Sequence, residues 1–354
     1  MRAGFAALAR RTGLAIEPMP DVCDRLERNR RCLKVRGCIG GFNGTAAFLR
    51  ISGYSEMLSG LVDQYDPRHL ERIRREVSAH GGTVEEIQVQ CFRLDALLAE
   101  HGLSMLIEAD DWRILFDTGQ GRVLQGNLAA LGACLAPLDA IVLSHGHYDH
   151  TGGLPHLLEH LQRPVMMASP AVFEKKFSAR RDPPKPIGLP IARAELTQKA
   201  QLTLQDQPAP IGRYVTVTGA IPRETDFESV DAKLLREHKG RIEPDPIDDD
   251  QALILEARLG LVVVLGCCHS GLINTLRRVR RLSPRPVVAV LGGSHLQPAA
   301  QAQIAATINA LRREFASIGS FRLNHCTGWP ALMALRDAFG EKVRPLAAGE
   351  KVEF

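Results

Sequence analysis

Ser144-His145-Gly146-His147-Tyr148-Asp149-His150-Thr151-Gly152-Gly153 places three imidazoles and a carboxylate within six positions, directly after the apolar run Asp139-Ala140-Ile141-Val142-Leu143. The run predicts a short buried strand, and the glycines after it predict a tight turn into a helix. The candidate ligands therefore lie on a loop at a strand's end. Neutral imidazole and ionised carboxylate are donors that zinc, iron(II) and manganese accept, and four exceed what one open catalytic ion needs if more arrive from elsewhere. Two adjacent cations are the natural expectation. With 12 histidines among 354 residues, a chance H-x-H-x-D-H is roughly a one-in-a-thousand event.

Outward from this loop the chain repeats one device, a strand that ends in a polar turn. Leu103 to Glu108 and Trp112 to Asp117 predict a hairpin turning at Asp110-Asp111, and its second strand runs into Asp117-Thr118-Gly119-Gln120. A carboxylate at a buried strand end beside a glycine turn braces backbone amides of a neighbouring loop, so Asp117 is expected behind the ligands and not among them. Downstream, Leu261 to Leu265 delivers Gly266-Cys267-Cys268-His269-Ser270-Gly271, and Pro286 to Leu291 delivers Gly292-Gly293-Ser294-His295. Phe321 to Asn324 delivers His325-Cys326-Thr327-Gly328. Three further strands thus finish in histidine plus glycine. Cys267, Cys268 and Cys326 flank these histidines; small buried residues are the first expectation, with a thiol ligand or nucleophile as the alternative.

Between these signals, 84–92, 164–168, 214–219 and 252–257 predict strands, with a last strand near 351–354. Stretches 127–131, 154–161, 301–315 and 330–339 predict helices. Residues 173 to 212 carry six prolines together with Arg180, Arg181 and Lys185, which predicts an irregular excursion over the site mouth. Residues 1 to 83 are least legible: a helix is expected over 67–79, with Leu70, Ile73 and Val77 on one face. The glycine-rich run 37–44 lacks the G-K-[ST] of a phosphate loop, and Cys23, Cys32 and Cys38 fit no C-x-x-C knuckle.

A hydrophobic content of 45% supplies ample core, and no run approaches the 18 or more apolar residues of a membrane span. The opening Met1 to Arg11 has too short an apolar core for a secretory signal. Eight cysteines then point to reduced thiols and a cytoplasmic protein. Of the +4 formal charge, residues 1–83 hold +5 (14 Lys/Arg against 9 Asp/Glu), so the rest carries −1. No basic face supports a nucleic-acid substrate. A small molecule is the expected partner, with neither nucleic acid nor membrane involved, and homo-oligomerisation stays open.

The order strand, H-x-H-x-D-H, distant strand-end His, distant strand-end His resembles the metallo-β-lactamase fold superfamily over about residues 84 to 354. The resemblance implies an α/β fold, a four-layer αβ/βα sandwich with the site at one edge, here carrying an N-terminal extension over 1–83. It also implies that His145, His147 and His269 hold one metal, and Asp149, His150 and His325 another. Two divalent ions are implied, zinc first, with manganese or iron(II) as alternatives. Within the superfamily, His101-Gly102-Leu103-Ser104, Ile221-Pro222-Arg223, Asp249-Asp250-Gln251-Ala252-Leu253, Gly266 to Gly271, Gly292 to Leu296 and Asn324 to Gly328 resemble the dihydropterin-ribofuranosylaminobenzene 5′-phosphate synthase branch. That branch makes a pterin precursor from a dihydropterin pyrophosphate and an aminobenzene ribosyl phosphate. Where the superfamily often has a bridging Asp, this chain has Gly292-Gly293-Ser294-His295.

The leading expectation is therefore a metal-dependent enzyme, transferase or hydrolase, similar to these synthases and using a metal-activated water or a metal-held pyrophosphate leaving group. Asp149 and His295 are the catalytic candidates, and Arg223 a phosphate contact. Hydrolysis of a phosphoester, thioester or lactone is the alternative. A non-catalytic metal sensor and an iron redox enzyme are the rivals from other classes.

Overall fold

The computed structural model describes residues 14–17, 33–36, 38–39, 44–53, 59–62, 66–92, 100–110, 112–130 and 137–354. Cys23 and Cys32 lie outside the described residues, whereas Cys38 is buried. The chain divides into two compact units, Met1–Leu98 and Ala99–Phe354.

In the first unit, strand Gly44–Gly53 pairs antiparallel with Gly82–Phe92 along its whole length, and Cys38–Ile39 and Gly60–Leu61 flank the pair. Leu14–Glu17 and Leu33–Arg36 form a separate parallel pair. The expected helix is present as Pro67–His80. Proline suits its first position, where the N–H would have no partner, and the Asp66 carboxylate accepts the Arg68 N–H at 2.8 Å. Ten register pairs tie strand Gly82–Phe92 to Gly44–Gly53 within this unit.

The second unit is built on two sheets. One has strand order Gln201–Leu204, Val165–Ala168, Ala140–Val142, Trp112–Phe116, Met105–Ala109. The other runs Ala209–Ile211, Val215–Val217, Ala252–Ala257, Gly260–Leu265, Val287–Gly293, Ser320–Asn324, Val343–Pro345. Successive side chains on a strand point to opposite faces, and the central strands are apolar on both. Val262 and Val264 join Phe116, Ala140 and Val142 in a core between the sheets. Leu261, Val263 and Leu265 face instead the core formed with helices Leu272–Leu282, Gln301–Glu314 and Trp329–Phe339. On the far side of the first sheet, Leu115, Ile141 and Leu143 pack on helices Leu154–His160 and Arg193–Lys199. The layers are thus helix, sheet, sheet, helix. Each fully buried Val, Leu or Ile contributes about 1.5–3 kcal/mol.

Two local expectations change. The proline-rich stretch 173–212 is ordered as strand Lys175–Ser178, helix Arg193–Lys199 and strands Gln201–Leu204 and Ala209–Ile211. Its buried Ile191, Leu196 and Ala200 anchor it to the outer core, and a short four-stranded sheet joins Lys175–Ser178 to the charged hairpin Leu234–His238/Arg241–Pro244. The last strand is Val343–Pro345, paired with Ser320–Asn324, while 351–354 form none. No helix among the described residues is long and apolar enough to cross a membrane.

Candidate metal centre

Strands Trp112–Phe116, Ala140–Val142, Gly260–Leu265, Val287–Gly293 and Ser320–Asn324 each pair in parallel with a neighbour. Parallel strands end on one edge of their sheet, so the polar turns after them gather there. Asp117, Cys268, His295 and His325 all stand at such ends with φ of +60°, +60°, +48° and +52°. A left-handed backbone at a non-glycine residue costs about 1–3 kcal/mol and is retained where it aims a side chain. Gly146 is needed for room: a Cβ there would lie 2.6 Å from the Val172 carbonyl oxygen.

These turns bring together all six expected ligands. One ring nitrogen each of His145, His147 and His269 lies within 4.8 Å of the others, and donor atoms of Asp149, His150, Cys267 and His325 form a second such set. His145 Nε2 stands 2.9 Å from His147 Nδ1, and His150 Nε2 stands 3.0 Å from His325 Nε2. Asp149 Oδ2 is 3.5 Å from His325 Nε2. His295 joins Cys267 and His269 in a third set, its ring centroid 4.1 Å from that of His269.

Asp117 works behind this rim. Its Oδ1 accepts the Ser144 N–H at 2.7 Å, and its Oδ2 accepts the Ser144 hydroxyl at 2.7 Å and lies 2.6 Å from His150 Nδ1. With the Ser144 proton given to Asp117, its oxygen accepts from His145 Nδ1 at 2.9 Å. Both histidines thereby hold a proton on Nδ1 and direct Nε2 toward the rim. Burial, reinforced by neighbouring imidazoles or Lys176, pushes His145, His147 and His269 well below the usual histidine range. Burial and then His150 take His325 down to about 2. For His150, burial works downward but the carboxylates of Asp117 and Asp149 outweigh it, raising it to about 9.

Neutral, buried imidazoles are the form that binds a cation. Among the described residues, His147 Nε2, His269 Nε2 and both ring nitrogens of His295 are buried with no hydrogen-bond partner. Such orphaned atoms are rare in folded proteins. A divalent cation held by His145, His147 and His269 answers the first two, so the residues present there fit a bound metal.

A second scaffold was not legible as such. Asp249 Oδ2 accepts the Gly146 N–H at 2.7 Å, Asp250 Oδ2 accepts the Ser270 N–H at 2.7 Å, and Gln251 Nε2 donates to the Leu143 carbonyl at 2.8 Å. Three consecutive residues thus staple both ligand loops. The charge of Asp249 is met by Lys176, whose fully buried ammonium lies 2.9 Å from Asp249 and 3.0 Å from Asp245. Neither Lys176 nor Asp245 stood out in the sequence, since an ion pair formed across 69 residues leaves no local pattern.

Arg223 braces this edge. Its Nη1 donates to the His269 carbonyl at 2.8 Å and its Nη2 to the Pro246 carbonyl at 2.7 Å. It therefore holds a ligand loop, and each terminal nitrogen keeps a second N–H. It lines a cavity of about 490 Å³ with Ser169, Ile221, Ile247, Asp248 and Ser270. His101, quoted above only within a motif, stacks on His325 with ring centroids 4.7 Å apart and is 59% exposed.

A family model described as the metallo-beta-lactamase superfamily matches residues 98–272. The Methanocaldococcus jannaschii protein MJ0448 is 33% identical over 67% of this chain and 88% of its own length. The 7,8-dihydropterin-6-methyl-4-(beta-D-ribofuranosyl)-aminobenzene-5′-phosphate synthase of the same organism is 30% identical over 72% of this chain and 90% of its own. Among solved structures, Tm1679, described as a metal-dependent hydrolase of the beta-lactamase superfamily, superposes with TM-score 0.63 at 26% identity, covering 72% of this chain and 92% of that one. Relatives 33% and 30% identical that align over 88% and 90% of their own lengths, with the family match over 98–272, make this chain a member of the metallo-β-lactamase superfamily.

Proposed function

We propose that this chain is an enzyme holding two divalent ions, zinc first, that transfers or cleaves a group on a small phosphorylated molecule, in a reaction akin to that of the dihydropterin synthase relative. One observation carries the reading: two donor sets share a rim, and His147, His269 and His295 turn buried ring nitrogens without partners into it. When bound, a divalent ion supplies a Lewis acid and a water acidic enough to ionise near neutral pH.

The chain's own residues set the stage. Asp117 and Ser144 fix the protons of His150 and His145 on Nδ1. The Asp149 carboxylate, 8% exposed, turns its Oδ2 toward His150 and His325, where it would help hold a cation. His295, with both ring nitrogens unengaged, is the group to meet substrate or carry a proton. The adjoining cavity of about 490 Å³ is of small-molecule size. Asp206 and Asp248 line it, so it suits a donor-rich heterocycle.

The test is to load the full-length chain with zinc or manganese and assay a dihydropterin pyrophosphate together with a ribosyl-aminobenzene phosphate, beside phosphoester, thioester and lactone substrates. Release of pyrophosphate with a new pterin–aminobenzene product supports the transferase. Turnover of an ester alone supports the second reading, a hydrolase, which the likeness to Tm1679 favours. Metal binding without turnover of any of these would leave a sensor and overturn the proposal.

A further inference from the structure

We propose that Cys267 supplies a thiolate to the second cation position. Asp149, His150, Cys267 and His325 would then form a complete four-donor set, and His145, His147 and His269 the open three-histidine position. This rests on the two-ion reading above.

The three buried cysteines near the rim are not equivalent. Cys268 packs in the core beneath helix Leu272–Leu282, its Sγ 3.2 Å from Thr275 Oγ1. Cys326 Sγ accepts the His295 backbone N–H at 3.3 Å and donates to the Cys267 carbonyl at 3.4 Å. Cys267, 4% exposed, instead directs its Sγ at two ligand nitrogens, 3.1 Å from His150 Nε2 and 3.1 Å from His325 Nε2. Those nitrogens are 3.0 Å apart, so the three atoms form a nearly equilateral triangle.

A tetrahedral zinc with bonds of about 2.0–2.3 Å has neighbouring donors about 3.3–3.7 Å apart. The triangle is one face of such a tetrahedron, slightly contracted, and Asp149 Oδ2, 3.5 Å from His325 Nε2 and 3.8 Å from His150 Nε2, supplies the fourth corner. A cation at the centre of this face would satisfy all three atoms at once, the Cys267 and His150 Nε2 protons leaving to solvent. A second observation points the same way: Cys267 is also within 4.8 Å of donor atoms of His269 and His295, whose buried nitrogens have no partner among the described residues. The thiolate thus lies between the two donor sets.

Two consequences follow. Sites closed by four protein donors serve structure, and sites with three keep the position where substrate reacts, so substrate chemistry falls to the three-histidine position. A soft thiolate selects zinc or iron over manganese, so manganese would replace the ion at only one of the two positions.

The experiment is cobalt(II) substitution of the full-length protein, followed by ultraviolet–visible absorption. A thiolate-to-cobalt charge-transfer band in the near ultraviolet is expected in the wild type, lost in Cys267→Ser and kept in Cys268→Ala and Cys326→Ala. X-ray absorption of the zinc-loaded wild type needs no variant and should show a sulfur neighbour at about 2.3 Å. The exposed His156, Glu159 and His160 set could take a further ion, but it holds no sulfur and cannot produce either signal. Two bound cobalt ions with only nitrogen and oxygen neighbours would overturn the role of Cys267 and leave the two-ion reading standing. A band that survives Cys267→Ser would also overturn it. Failure to bind cobalt at all would remove both.

Discussion

Lys176→Met isolates the scaffold beneath the ligand loop. The side chains of Lys176, Asp245 and Asp249 are 0%, 1% and 0% exposed, and the ammonium is 3.0 and 2.9 Å from the two carboxylates. Methionine keeps the approximate volume and removes the charge, which leaves at least one buried carboxylate uncompensated. Breaking a buried pair in this way costs about 3–5 kcal/mol. Burial already raises the Asp249 carboxyl above its usual range, with Lys176 opposing that rise, so the variant raises it further. A carboxyl whose folded pKa exceeds its unfolded value binds more protons when folded, and stability falls as pH rises through it. The deficit of the variant should therefore be larger at about pH 7.5 than at about pH 5.5. Urea unfolding at the two pH values measures it. Lys175→Met is the internal control, because Lys175 is 70% exposed and pairs with Glu237 at the surface, where pairs are worth about 0–1 kcal/mol. A Lys176→Met deficit below about 1 kcal/mol, equal to that of the control or indifferent to pH, would refute the reasoning.

Asp117→Asn should keep the fold while lowering metal affinity about 10–100-fold, since it disturbs the proton positions of His150 and Ser144; competition with a chromophoric chelator reads this. Gly146→Ala drives a Cβ to 2.6 Å from the Val172 carbonyl oxygen, and thermal unfolding should show a loss of about 1–3 kcal/mol together with reduced metal content. His101→Ala removes a largely exposed ring, so stability should stay within about 0.5 kcal/mol and metal content unchanged. Turnover should fall, because the ring stacks on His325 beside Asp149.

The second unit's layering was legible because its central strands are apolar on both faces: 139–143, 261–265 and 286–291 announce themselves without periodicity, and each ends in glycine and histidine. The four candidates from His145 to His150 stood out because such a cluster is improbable by chance, and His269 and His325 were added by the resemblance to the superfamily. What escaped is what depends on distance in the chain. The ties of Asp249, Asp250 and Gln251 to Gly146, Ser270 and Leu143 span up to 108 residues, and Lys176 sits in a strand whose neighbours are charged. Prolines misled over 173–212, since Pro186 lies in a two-residue edge strand where its missing N–H is harmless. The role of Cys267 could not be separated from those of Cys268 and Cys326 until the direction of each Sγ was known.

Anomalous diffraction at the zinc edge from crystals of the zinc-loaded protein tests the central claim most directly. Two peaks are predicted, one bonded to His145, His147 and His269, the other to Asp149, His150 and His325. A zinc-loaded crystal with no peak between these side chains, or with peaks only at surface histidines such as His156 and His160, would contradict the account.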